Sequence, residues 1–200
     1  MIETWILVFL YSWKKKLNIK LIFKDWPIYF PLVMLWIYII AEVMIFNNNY
    51  WITQYGTQIK QITLFSYLGL VIKYNLYDSM NVKQKNELIR FVKSPFVIAI
   101  VCLLIGYLLN YIAIVANSGH MPVFPSNTYF TGYTDVESFT KDSFYILGDH
   151  TSKVIPLCDT IDIFYSNLSL GDVFVRIYVA ILIYFSIKRV NEKHKININM

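Results

Sequence analysis

One block of the chain restricts its possible folds more than any other. Residues 95–116, PFVIAIVCLLIGYLLNYIAIVA, run without a charged side chain. At about 1.5 Å per residue, a helix of this length spans the roughly 30 Å of hydrocarbon in a bilayer. The composition agrees, because 56% of the residues are hydrophobic and only 16% are charged. Ordinary soluble domains are less apolar, so the sequence predicts an integral membrane protein.

Five apolar segments predict an all-α membrane protein that forms a single domain over residues 1–200. These segments are residues 2–13, 27–46, 62–77, 95–116 and 173–187. The first is the shortest. It either crosses the membrane with a tilted extra turn or only enters the membrane surface, and the sequence leaves both possibilities open.

The positions of the basic residues predict the orientation of the chain. Thirteen of them lie on alternate connections: Lys14, Lys15, Lys16, Lys20, Lys24, Lys83, Lys85, Arg90, Lys93, Lys188, Arg189, Lys193 and Lys195. The remaining connections carry only Lys60, Lys141 and Lys153. Because cytoplasmic loops are rich in Lys and Arg, this predicts five crossings, an outer N-terminus and a cytoplasmic C-terminus. Cations beside apolar segments also indicate contact with the lipid bilayer and not with nucleic acid.

With this orientation, residues 117–170 form the largest outer loop. The loop is acidic, and it is too aromatic for a disordered segment, so we expect a compact lid between the fourth and fifth helices. Thr134 and Glu137 match a capping box, and Gly148 matches a C-terminal cap. These signals predict a short helix over residues 135–147.

Three polar side chains lie at similar depths within the predicted helices. Counted from the outer helix ends, Glu42, Asn110 and Arg176 fall about 6–9 Å below the outer surface. A charge in the bilayer costs about 2.5–3.5 kcal/mol on insertion scales, so such residues indicate a polar pocket or structural ties between helices. The geometry allows Glu42 to pair with Arg176 in a shared polar pocket, but the favoured interpretation is that each side chain snorkels to the interface or forms a structural tie between helices.

The predicted loop also contains side chains that metal sites and thiol enzymes use. His120, His150 and Cys158 are widely spaced, and the sequence has no C-x-x-C or H-x-x-x-H pattern, so we expect neither a metal nor a cofactor. A thiol enzyme with Cys158 as nucleophile and one of these histidines as base ranks last. The sequence also has no phosphate-binding glycine loop and no common hydrolase motif.

The end of the fourth segment and the loop after it carry a family pattern. The stretches LLIGYLLNYIAIVANSGHMPV and TSKVIPLCDTIDIFYSNLSLGDVFVRIYVAILI resemble an uncharacterised family of multi-spanning bacterial membrane proteins, a domain of unknown function. In that family a helical Asn precedes N-G-G-x-M-P-V, T-x-L-x-F-L-G-D and S-I-G-D. The matching residues are Asn110, Asn117, Gly119, Met121, Pro122, Val123, Thr151, Leu157, Asp159, Ser169, Gly171 and Asp172.

The chain departs from the family pattern at a few positions. Ser118 replaces a Gly, Cys158 replaces the Gly before Asp159, and a loop His of the family corresponds to Phe144 or Tyr145. The resemblance implies the fold, its boundaries and a bacterial cytoplasmic membrane, but no reaction type. Ser169 and Asp172 are expected to cap the last helix, because their side chains can accept hydrogen bonds from its first free N–H groups. Asp159 has no such local role.

The sequence therefore favours a non-enzymatic accessory, sensing or small-ligand-binding membrane protein with a polar pocket on its outer face. The candidate site residues are Glu42, Asn110, Asn117, Met121, Pro122, Asp159, Ser169, Asp172 and Arg176. The first alternative is a small transporter or channel subunit, in which the same residues line a pathway. The second is a membrane-embedded thiol or metal-dependent hydrolase. A protein partner or a second copy of the chain is compatible with each class.

Overall fold

A computed structural model describes residues 1–47, 50–78, 86–130 and 144–198 of the chain. Internal contacts divide it into two compact units. Unit 1 comprises Met1–Met44, Tyr50–Val101 and Arg176–Met200, and unit 2 comprises Ile45–Asn49 and Cys102–Val175. The organisation into a single domain stays a prediction.

Most of the described residues are helical, as predicted. The α-helices are α1 (Ile2–Lys14), α2 (Tyr29–Phe46), α3 (Gly56–Ser66), α4 (Leu68–Lys73), α5 (Glu87–Val92), α6 (Pro95–Ala116), α7 (Asn127–Phe130) and α8 (Leu170–Ile198). Short 3-10 helices cover Ile19–Lys24, Trp26–Ile28, Tyr50–Tyr55 and Ile155–Leu157.

Among the described residues, three helices are long and apolar enough to cross a membrane. They are Trp26–Ile45, Pro95–Ala116 and Leu170–Lys195, which correspond to the second, fourth and fifth predicted segments. The first predicted segment is the helix α1, whose 13 residues reach only about 20 Å. Five crossings and the orientation of the termini stay predictions.

The last predicted segment, residues 173–187, is too short. Helix α8 begins at Leu170 and continues to Ile198. The apolar run stops at Lys188, but Lys, Arg and Glu are good helix formers, so the helix continues beyond the apolar run. Hydrophobicity alone therefore underestimates its length.

The third predicted segment, residues 62–77, is not one continuous helix. It is broken at Tyr67 into α3 and α4. Before the break, the Thr63 hydroxyl donates to the Ile59 carbonyl at 2.7 Å, and the Ser66 hydroxyl donates to the Thr63 carbonyl at 2.6 Å. Hydroxyls that bond to carbonyls one turn back bend helices, which accounts for the interruption.

Unit 1 packs around buried aromatic and aliphatic side chains. Its core includes Ile22, Ile28, Tyr67, Leu70, Tyr74, Leu76, Val179, Leu182, Ile183 and Ile187. The Trp5 indole N–H donates to the Tyr67 hydroxyl at 3.0 Å, and the Tyr178 hydroxyl donates to the Leu64 carbonyl at 3.1 Å. These hydrogen bonds satisfy the indole N–H and the hydroxyl groups of the aromatic side chains, whose burial without a partner would cost free energy.

Unit 2 contains two small sheets, so the all-α prediction is wrong there. Strand β1 (Met121–Val123) pairs in parallel with β2 (Tyr145–Leu147). Strand β3 (Ile161–Asp162) pairs antiparallel with β4 (Asn167–Leu168). These strands fold much of the described chain between α6 and α8, which we call the α6–α8 segment (residues 117–130 and 144–169).

The helix predicted over residues 135–147 is wrong at its C-terminal end. Residues 135–143 lie outside the described residues, whereas Tyr145–Leu147 is the strand β2. Aromatic and β-branched side chains suit a strand. Gly148 extends the pairing, because its N–H donates to the Val123 carbonyl at 2.8 Å. A Cβ added at Gly148 would collide with the Phe124 ring.

Within unit 2, α6 and the first turn of α8 meet backbone against backbone at two glycines. A Cβ added to Gly106 would lie 2.7 Å from the Gly171 carbonyl oxygen, and a Cβ added to Gly171 would lie 2.5 Å from the Gly106 carbonyl oxygen. Small residues let helices approach this closely.

We expect Gly171→Ala to lower the free energy of unfolding by about 1–3 kcal/mol, because the added methyl group overpacks this contact. Gly56→Ala is the matched control, since nothing lies within 4 Å of its Cβ position. Its effect should stay below about 1 kcal/mol. Denaturation of both variants in detergent micelles measures the difference, and a Gly171→Ala variant as stable as the wild type would contradict the close crossing.

Candidate functional site

Asn110 lies one turn beyond Gly106 on α6 and contacts the residues that begin α8. Its Oδ1 accepts a hydrogen bond from the Ser169 hydroxyl at 2.6 Å, and its Nδ2 donates to Asp172 Oδ1 at 3.4 Å. The Asp172 N–H donates to Ser169 Oγ at 3.0 Å, and the Ser169 N–H donates to Asp172 Oδ2 at 3.5 Å. This reciprocal pair is a capping box, so the expected cap is confirmed.

These three candidate residues therefore form a polar joint between α6 and α8. An amide inside an apolar helix needs hydrogen-bond partners, and the joint supplies one for its oxygen and one for its nitrogen. A role for these side chains in ligand binding stays a prediction.

Asn117 follows α6 directly and holds the backbone of the α6–α8 segment. Its Nδ2 donates to the carbonyls of Ala113 at 2.8 Å and Lys153 at 3.0 Å, and its Oδ1 accepts from the Lys153 N–H at 2.8 Å. The chain turns away from the helix at Ser118 and Gly119, whose φ angles of 61° and 94° lie in the left-handed region. That region favours Gly, which gives a physical reason for the family pattern at these two positions.

Met121, Pro122 and Asp159 lie in the centre of the same segment. Met121 is buried in a cluster with Ala113 and Cys158. The Asp159 N–H donates to the Pro122 carbonyl at 3.0 Å. Asp159 is only 5% exposed, so it lies inside the folded segment. The structure thus brings these candidates together with Asn117.

Asp162 organises this segment, and sequence reasoning missed it. Its Oδ2 accepts from the N–H groups of Ser126 at 2.8 Å and Thr128 at 2.9 Å, and its Oδ1 accepts from the Phe164 N–H at 2.9 Å. Burial acts to raise the pKa of Asp162, but these donors outweigh burial and lower it. Ser126 and Thr128 lie more than thirty residues away along the chain, so local sequence gives no signal for them.

The Cys158 thiol is fully buried and lies against the backbone. It donates weakly to the Lys153 carbonyl at 3.5 Å. Burial and the neighbouring Asp159 carboxylate raise the pKa of this thiol. A nucleophilic cysteine needs a lowered pKa, so this environment opposes the thiol-enzyme alternative. Across the described ranges, no group of three or more His, Cys, Asp or Glu side chains is placed to hold a metal ion.

Unit 1 holds the charged part of the predicted site. Arg176, on α8, donates through Nε to Glu3 Oε1, and its side chain is 14% exposed. Glu3 belongs to α1 and was not predicted as a site residue. The Met1 amino group lies 2.8 Å from Glu3 Oε1, and Arg176 and Glu42 also act electrostatically on this amino group. The direct pairing of Glu42 with Arg176 stays a prediction.

These features define a class: a mostly helical chain with three helices long and apolar enough to span a membrane, and a folded segment between the last two. The profile of a family of unknown function, DUF5317, matches residues 18–184. The chain belongs to this family, so the resemblance drawn from its sequence is confirmed. No curated protein and no solved structure matches it.

The raised pKa of Cys158 makes a prediction about its reactivity. In a Cys102→Ala background, a thiol reagent should label Cys158 much more slowly than a free cysteine at pH 8, because its pKa is raised, and labelling should increase at a higher pH than it does for a free cysteine. The measurement is the labelling rate in detergent as a function of pH, with the denatured protein as control. Labelling as fast as that of the denatured chain would show an accessible thiolate.

Proposed function

We propose that the protein is an integral membrane protein of the non-enzymatic accessory, sensing or small-ligand-binding type. Its polar site comprises Arg176, Glu3 and Glu42, near the outer ends of their helices, with the N-terminus outside and the C-terminus in the cytoplasm. The observation that carries this proposal is the ion pair between Arg176 and Glu3. An ionisable side chain on an apolar helix is costly, and such residues usually mark a binding site or pathway.

The arrangement of charges supports binding more than catalysis. A guanidinium offers several N–H donors in a fixed plane, which suits recognition of a carboxylate or another planar anion. Glu3 Oε1 accepts the hydrogen bond that Arg176 Nε donates. The Met1 ammonium donates to Glu3 Oε1 at 2.8 Å and to Oε2 at 2.9 Å. A small zwitterion can therefore compete for both partners of this cluster, with its carboxylate on the guanidinium and its cationic group on Glu3 in place of the Met1 ammonium, and it is the favoured ligand class.

The test is ligand-dependent stabilisation of the full chain in nanodiscs. The probes are acetate, glutamate, glycine and glycine betaine, each titrated to saturation. A ligand at 100 times its Kd stabilises the folded state by about 2.7 kcal/mol, so we expect at least one zwitterionic probe to raise the Tm of the wild type. Arg176→Gln should abolish that increase.

Arg90→Gln is the matched control, because Arg90 also pairs with a carboxylate, Asp78, but is more exposed. We expect this control variant to keep the full Tm increase. The proposal is wrong if no zwitterionic probe stabilises the wild type, or if Arg176→Gln responds as the wild type does. Flux of the stabilising probe into reconstituted vesicles separates transport from sensing. If Arg176→Gln changes this flux and Arg90→Gln does not, the transporter alternative is favoured.

A further inference from the structure

Unit 1 contains a second polar site, away from Arg176, that the sequence did not indicate. An open cavity of about 300 Å³ is lined by Leu21, Lys24, Asp25, Lys73, Tyr74, Val190, Lys193 and His194. Its volume is at the lower end of the roughly 300–1,000 Å³ typical of small-molecule sites. Three separate stretches of the chain supply these residues, so the cavity exists only in the folded unit.

The cavity is lined by more positive than negative charge. Among the described residues that line it, Asp25 is the only acidic one, and its carboxylate is already engaged. The Tyr74 hydroxyl donates to Asp25 Oδ2 at 2.7 Å, and Lys73 Nζ lies 3.8 Å from Asp25 Oδ1. Within the part of the chain that the structure describes, Lys24 and Lys193 make no ion pair. The cavity therefore presents ammonium groups that lack a counter-charge.

The lining residues lie at the ends of apolar helices. Lys24 and Asp25 directly precede the apolar helix Trp26–Ile45, and Lys193 lies in the last turn of Leu170–Lys195. Trp26, the residue next to Asp25, is 62% exposed. Exposed Trp beside Lys at a helix end is typical of the level at which lipid headgroups lie.

We propose that this cavity binds an anionic phosphate group, carried by a phospholipid headgroup or by a soluble phosphate ester. Lys24, Lys73 and Lys193 contact the phosphate oxygens as point charges. Tyr74 holds Asp25 to one side, so that the carboxylate orients Lys73 and does not fill the cavity. The site is independent of Arg176 and of the function proposed for it.

The experiment titrates phosphatidylglycerol into the full chain in a neutral detergent and measures the bound lipid by native mass spectrometry. Phosphatidylcholine is the lipid control. The cavity variant combines Lys24→Gln, Lys73→Gln and Lys193→Gln. The matched control combines Lys14→Gln, Lys20→Gln and Lys195→Gln, which removes the same charge from exposed lysines that do not line the cavity. Lys193→Gln alone is the milder variant if the triple variant does not fold.

We expect the cavity variant to bind phosphatidylglycerol at least about tenfold more weakly, and the control variant to lose less than about twofold. Competition with glycerol 3-phosphate and inorganic phosphate separates the two sources. If these soluble compounds displace the lipid from the wild type but not from the cavity variant, the cavity binds a soluble phosphate ester. If they do not displace the lipid, the cavity binds the lipid headgroup. Equal losses in the cavity and control variants, or equal binding of the two lipids by the wild type, would overturn the proposal.

Discussion

The need to neutralise Arg176 on an apolar helix is the constraint on which the organisation of unit 1 depends. An ionisable side chain on an apolar helix is costly to leave unpaired, and α1 provides Glu3 as the partner of Arg176. Helix α1 is too short to span a bilayer by itself, yet it is fixed at the same end by a second polar contact, from Trp5 to Tyr67. These two contacts give a short helix a defined position among its neighbours.

In unit 2, the polar side chains that find partners at an apolar helix are two amides. Asn110 is satisfied by Ser169 and Asp172, which also cap α8, and Asn117 is satisfied by the backbone of Lys153. Each amide therefore joins an apolar helix to another part of the chain, and hydrogen bonding makes that joint specific. The candidate residues of unit 2 have clear structural roles, whereas Arg176 and Glu3 carry charge that binding can use.

The sequence predicted those parts of the fold that depend on continuous apolar runs and local caps. Residues 95–116 agree with α6 at both ends, and Ser169 with Asp172 forms the expected cap. Hydropathy could not reveal the break at Tyr67, because it depends on hydroxyls that bond back to the helix carbonyls. It could not reveal β2 either, because that strand is specified by pairing with β1, more than twenty residues earlier.

The candidate site was predictable only in part, for a related reason. Arg176 was recognisable because it interrupts an apolar helix, whereas Glu3 was not, since a single acid in a first helical turn is commonplace. The basic cavity combines residues near positions 24, 73 and 193, and no spacing in the sequence connects them. Partners from distant segments are visible only once the chain is folded.

A double-mutant cycle on Glu3 and Arg176 tests the central claim most directly. The free energy of unfolding is measured in micelles for the wild type, Glu3→Gln, Arg176→Gln and the double variant. If the two charges stabilise each other, the cycle gives a coupling energy of about 1–3 kcal/mol, and the double variant loses less than the sum of the single losses. Single effects that add to within about 0.5 kcal/mol would contradict the ion pair.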